Sequence, residues 1–271
     1  MLRSSRCAAV DPRVIHRIAG DAGINGVTVL NNELYVLRDR TGNHVDIHST
    51  TDFDLLRHVT IDGVTVDGLD DIAACPQNQC VYISDFGGRC VHRLGADGSV
   101  IRWRLIARPT GISVSSSTNI LAVFTDEADE EAKVLEITGG NGNFVREITP
   151  DLDPGVKLDH CVQLDGDRYI VCHGKMQTSR VSQVNVDGTI VRSSDADAGL
   201  FLPWRMAVDD DWFVFVADAR NNHIVLFDPS LKFVRHLSEG LTNRPIRLCF
   251  DGNTRRLYVA QSDKTVVVMQ L

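Results

Sequence analysis

The sequence predicts an all-β chain, a six-bladed β-propeller of four-stranded antiparallel blades. Three observations carry that expectation. Short β-branched or aromatic runs recur along the chain, each bounded by Gly, Asn, Asp or Pro, which is the signature of strands and turns. The runs come in groups of four, and a four-strand unit repeating every ~40 residues is a propeller blade rather than a solenoid turn. No stretch keeps a helical period over about a dozen residues.

The units fall at 24–63, 68–106, 108–149, 159–195, 202–239 and 244–271. Their innermost strands read "NGVTVL", "DDIAAC", "TGISVS", "HCVQLD", "WRMAVD" and "IRLCFD". Second strands follow as "ELYVLR", "CVYISD", "ILAVFT", "RYIVCH", "FVFVAD" and "RLYVAQ". Third strands are "HVDIHS", "CVHRLG", "KVLEIT", "RVSQVNVDG", "HIVLFD" and "TVVVMQL", and five units add a fourth: "LLRHVT", "VIRWRL", "FVREIT", "TIVRSS" and "FVRHLS". The last unit runs out at Leu271 before its fourth strand. "RVIHRIAG", Arg13 to Gly20, matches the missing element in type. It is expected to close the ring as the outer strand of the last blade and so cover an exposed sheet edge.

The 271 residues hold 43% hydrophobic and 24% charged residues, an ordinary globular balance. One domain over 11–271 is expected, with 1–10 as a short tail. The formal net charge of −8 argues against a general phosphate-binding surface. No apolar run approaches the roughly 18 residues of a membrane span, and the arginine-bearing start lacks a long apolar segment of a secretory signal. Seven cysteines sit mostly inside strands, which fits buried thiols and a cytoplasmic location better than a disulfide framework. Cys75 and Cys80 flank "PQNQ" and are placed to meet across a hairpin. A monomer is expected.

"RMAVDDDWFVFVADARNNHIVLFDPSLKFVRHL" and "DIAACPQNQCVYISDFGGRCVHRLGADGSVIRW" carry a further pattern. An apolar-Ala-Val-Asp strand, a Tyr-Val-Ala-Asp-type strand, an Asn before the third strand and a Gly or Pro turn resemble the NHL-repeat propellers. The match is strongest at Val208–Asp209, Ala217–Asp218 and Asn221–Ile224, and weakest where "FTDEADEEAK" and "CHGKMQTSR" replace the corner. The chain looks most like the C-terminal propellers of animal tripartite-motif-like proteins. That resemblance implies binding of a protein partner or RNA, with no catalytic site; ring, B-box and coiled-coil regions are absent from this sequence.

The start of each inner strand and the end of each second strand should lie at one mouth of the channel. Aligning the units places Asn25, Asp70, Thr110, His160, Trp204 and Ile246 in one ring. The next ring is Gly26, Asp71, Gly111, Cys161, Arg205 and Arg247, and the second-strand ends add Arg38, Asp85, Phe124, Cys172, Asp218 and Gln261. Asp70, Asp71 and Asp85 thus oppose Arg38, Arg205 and Arg247, a division that would focus field on a dipolar or peptide ligand. Trp204 is the natural anchor of such a contact. The competing reading makes Asp85 and Asp218 turn-binding blade elements and the arginines surface ion pairs worth little.

A non-enzymatic scaffold binding a protein or peptide through Trp204, Arg205, Arg247, Arg38, Asp70, Asp71, Asp85 and His160 is therefore expected, with no cofactor. The rivals are an RNA-binding propeller and a metal-dependent hydrolase or lyase. Against RNA stand the acidic stretches "TDEADEE", "PDLDPG" and "DADAG", since phosphate binding needs local cations. Against metal stands the inner ring, where His160 is the lone histidine and the oxygen ligands do not make a cage. The nine histidines are scattered along the chain, His44, His48, His92, His223 and His236 among them.

Overall fold

The computed structural model describes residues 11–38, 43–64, 68–125 and 131–271. The tail at 1–10 and most of "TDEADEE" lie outside them. Strand β1 is Arg13–Ala19. Blade one follows as β2 (Ile24–Leu30), β3 (Glu33–Arg38), β4 (His44–Ser49) and β5 (Leu55–Thr60). Blade two is β6 (Leu69–Cys75), β7 (Cys80–Asp85), β8 (Cys90–Gly95) and β9 (Val100–Arg104); blade three is β10 (Gly111–Val114), β11 (Ile120–Thr125), β12 (Ala132–Ile137) and β13 (Phe144–Ile148). Blade four is β14 (Lys157–Asp165), β15 (Arg168–Gly174), β16 (Arg180–Asn185) and β17 (Ile190–Ser193); blade five is β18 (Pro203–Val208), β19 (Val214–Asp218), β20 (His223–Phe227) and β21 (Phe233–Leu237). Blade six is β22 (Pro245–Asp251), β23 (Arg256–Gln261) and β24 (Thr265–Gln270) with β1 outside them.

All six sheets are antiparallel, five of them meanders and the sixth completed by β1, and they form a six-bladed propeller. Closure is as the sequence predicts: β1 runs antiparallel to β24, from Arg13 opposite Gln270 to Ala19 opposite Thr265. Each blade grades from inside to outside. The second strand of blade two, "CVYISD", is buried throughout because both its faces meet neighbouring blades, whereas the outer "VIRWR" is mostly exposed. The hydrophobic core is accordingly a ring of interblade layers. Phe215 and Leu226 of blade five, for example, pack on Leu257 and Val267 of blade six, and Val36 of blade one packs on Tyr258 and Val268. Tight hairpins hold the register: Asn31 and Asn32 both take positive φ (51° and 62°) between β2 and β3, a geometry that Asn tolerates better than most residues. Cys75 and Cys80 are register partners, and both are free thiols.

Candidate functional site

The mouth is built by one irregularity repeated around the ring. Five inner strands carry a register shift on entering their ladders: Asn25, Asp70, Asp159 and Ile246 are each skipped, and in blade five Trp204 and Arg205 together. A bulge re-aims its side chains, and here it delivers the next residue into the channel. The residue before each shift is apolar or Pro: Ile24, Leu69, Leu158, Pro203 and Pro245. Blade four therefore stands one residue away from the sequence alignment. Asp159, not His160, shares the outer ring with Asp70, Thr110 and Trp204. His160, not Cys161, joins Asp71, Arg205 and Arg247 in the channel, and His173, not Cys172, is the second-strand residue opposite Leu158. The matching "LDD" at 69–71 and "LDH" at 158–160 are the signal that fixes this phase.

Arg205 crosses the channel. Its Nε donates to Asp71 at 2.7 Å and one terminal nitrogen to Asp70 at 3.2 Å. The remaining N–H groups bond to the carbonyls of Asp159, Trp204 and Thr110. All five donors of the guanidinium are thus engaged. Arg247 points three N–H groups at the carbonyls of Asn25, Ile246 and Asp70 and stands 3.8 Å from Asp71. Asp71 also accepts from the Ile72 and Ile112 N–H groups. Asp71, Arg205 and Arg247 are 4%, 6% and 7% exposed, so this is a buried network and not the surface pairing that would be worth little. Burial opposes the charge on Arg205, but Asp71 and then Asp70 outweigh it and its pKa is raised. Burial, then repulsion from Arg205, pull Arg247 down to about 10, so it remains cationic at neutral pH.

This network divides the channel. Below it lies a cavity of about 220 Å³ walled by all six inner strands. Above it opens a mouth pocket of about 210 Å³ lined by Asp70, Thr110, Asp159, Trp204, Arg205 and Arg247. Trp204 is half-buried, and the Arg247 guanidinium lies 5.9 Å from its ring centroid, within cation–π range. Asp159 is half-buried too. Burial raises its carboxyl to about 6, despite the opposing influence of Arg205, Lys157 and Arg247. Among the described residues no hydrogen bond reaches that carboxyl. His160 beneath the mouth accepts from Met206 N–H and directs its other nitrogen at the Ile112 carbonyl. That pattern makes it the neutral Nε2–H tautomer, and burial holds its pKa at about 4.

Two residues placed at the mouth by sequence turn into their own blades instead. Arg38 is 2% exposed, with Nε 2.5 Å from Asp46. Asp85 is fully buried, accepting from Gly88 N–H at 2.6 Å and lying 3.0 Å from His92 Nε2. Asp218 likewise receives the Phe201 and Leu202 N–H groups of the preceding linker. Arg38, Asp85 and Asp218 thus bind within or beside their own blades rather than furnish the mouth. The histidines scattered in sequence are not all scattered in space: His44 and His58 meet edge to face, and His223 and His236 stack at 4.0 Å.

Similar structures exist among solved proteins. A Staphylococcus aureus virginiamycin B lyase superposes with a TM-score of 0.68 at 13% identity, covering 96% of this chain and all of the other. Kuenenia stuttgartiensis hydrazine synthase gives 0.67 at 12% identity over 94% of this chain and 97% of that one. At that identity the likeness is one of fold. No protein-family profile matches the chain, and no curated protein does. No helix among the described residues is long and apolar enough to cross a membrane.

Proposed function

We propose that the chain is a non-enzymatic recognition scaffold that holds a protein or peptide segment at the channel mouth. One observation carries this reading: the mouth is a shallow cup, floored by a charge network whose Arg205 donors are all engaged, with Trp204 as a wall and Asp159 as an acceptor still open. At about 210 Å³ the cup is smaller than the ~300–1,000 Å³ typical of small-molecule sites. It suits one inserted side chain with an apolar stem and a hydrogen-bonding head, the stem on Trp204 and the head toward Asp159 and Asp70. RNA is less well served, because Arg205 and Arg247 are turned toward carboxylates and carbonyls and offer phosphates little. A cytoplasmic monomer whose mouth needs no cofactor belongs to the same reading.

A second reading has one observation behind it. A carboxyl near pKa 6 in a cleft is what general acid–base chemistry uses, so Asp159 keeps a hydrolase or lyase open. The test is affinity capture from lysate followed by binding measurements on the captured partner. Trp204→Ala is expected to weaken the partner by about 2 kcal/mol, roughly thirtyfold, and Asp159→Asn to weaken it less. Equal capture by wild type and Trp204→Ala, or tight RNA binding with a steep salt slope, would overturn the proposal.

A further inference from the structure

We propose that His44, Asp46 and His58 form a binding site for a divalent transition-metal ion of the zinc class on blade one, apart from the mouth. The β ladder assembles it. His44 and Asp46 are two residues apart on β4 and share a face, and His58 of β5 is the register partner of Asp46. His44 Nε2 lies 3.2 Å and His58 Nδ1 2.5 Å from the same oxygen, Asp46 Oδ1. The three potential ligand atoms all lie within 4.8 Å of one another.

Ligands about 2.1 Å from a tetrahedral zinc stand roughly 3.4 Å apart. His44 and Asp46 already have that spacing. His58 must swing outward by somewhat under an ångström, on the order of that difference, and its side chain is 57% exposed and able to do so. The carboxylate is the fixed member. Its other oxygen is held by buried Arg38, the kind of outer-shell bond that orients a metal-binding carboxylate. Two imidazoles and one carboxylate suit zinc-like ions, while calcium would want more oxygen ligands. With three protein ligands and a solvent-facing side, a fourth position is left for water, so the ion should exchange.

The same contacts also describe a plain hydrogen-bond cluster around Asp46, and the experiment separates the two. Titrate the full chain, freed of metal, with zinc by calorimetry and with cobalt(II) by its visible absorption. One ion per chain is expected, with a cobalt spectrum of low-symmetry nitrogen and oxygen ligation. His58→Ala and His44→Ala should each weaken zinc by about tenfold or more, and Trp204→Ala should leave it unchanged. Asp46→Asn also removes the partner of Arg38, so the histidine variants carry the test. The absence of saturable binding, or equal affinity in the His44→Ala/His58→Ala double variant, would refute the site.

Discussion

Replacing Asp71 by Ala should be among the most damaging single changes in the channel. Asp71 neutralises the guanidinium of Arg205 at 2.7 Å and lies 3.8 Å from that of Arg247, and all three residues are buried. Removing one partner of a buried pair costs about 3–5 kcal/mol, because the surviving charge is stranded away from water. For a chain of this size that lowers Tm by on the order of 10 °C. The Arg57–Glu33 pair is the internal control, since it is bidentate at 2.6 and 2.8 Å, a closer pairing than the single Arg205–Asp71 bond, but partly exposed. Arg57→Ala should cost about 1 kcal/mol or less. The assay is urea unfolding and calorimetry of Asp71→Ala, Arg205→Met and the double variant. A double-mutant cycle should return a large coupling, with the double variant more stable than Asp71→Ala alone. If Asp71→Ala unfolds within a degree or two of Arg57→Ala, the buried network does not hold the channel. By the same geometry, charge reversal at Arg205 should chiefly unfold the channel rather than act as a surface charge would on an association rate.

Deleting residues 1–20 removes six register pairs with β24 and the buried Ile18; a loss on the order of 5 kcal/mol follows from burial and ladder bonds, and an unchanged melting temperature would contradict closure. Asp159 has a folded pKa raised from 3.8 to about 6, so its ionisation penalises the fold increasingly from pH 4 to 6 and fully above. Asp159→Asn should therefore melt higher than wild type at pH 7 and lose that advantage by pH 4. His160, lowered from 6.5 to about 4, acts in the opposite sense: stability present above pH 6.5 is lost as pH falls toward 4, and His160→Gln should flatten that limb in acid titrations of stability. A Cβ at Gly111 would approach the Asp159 carbonyl to 2.8 Å and the Arg205 guanidinium carbon to 3.7 Å, so Gly111→Ala should destabilise the chain and disturb the mouth, read as a lower Tm and a shifted Trp204 fluorescence.

The blades were legible because each second strand is buried on both faces and so reads as an unbroken apolar run, "CVYISD" or "FVFVAD". The closing strand was legible by deficit, one blade lacking what the N-terminus supplies. Blade four slipped because β14 runs from Lys157 to Asp165 with register shifts on both sides of its centre. Alternation counted inward from "VQL" then arrives one residue late. Hydrophobic pattern reports burial, and the bulge residue is an interruption of that pattern. The phase could be recovered only from the apolar or Pro residue before it.

Pairing the charges was harder for a topological reason. Asp71 and Arg205 are 134 residues apart, but blades two and five are three steps apart in a ring of six, hence opposite each other across the channel. Only a long side chain can reach over, and the second ring reads Gly26, Asp71, Gly111, His160, Arg205 and Arg247 once blade four is in phase. The glycines of blades one and three let the neighbouring inner strands approach closely: a Cβ at Gly26 would come within 2.9 Å of the Ile72 backbone nitrogen, and one at Gly111 within 2.8 Å of the Asp159 carbonyl. Volume and charge are therefore complementary around this ring, with small residues flanking the acid and long bases facing it. Arg38 and Asp85 have the right charge for the same network but sit one strand farther out, where the nearest partners are Asp46 and His92 of their own blades. Distance from the axis, which composition does not report, decides whether a charge joins the mouth or staples a blade.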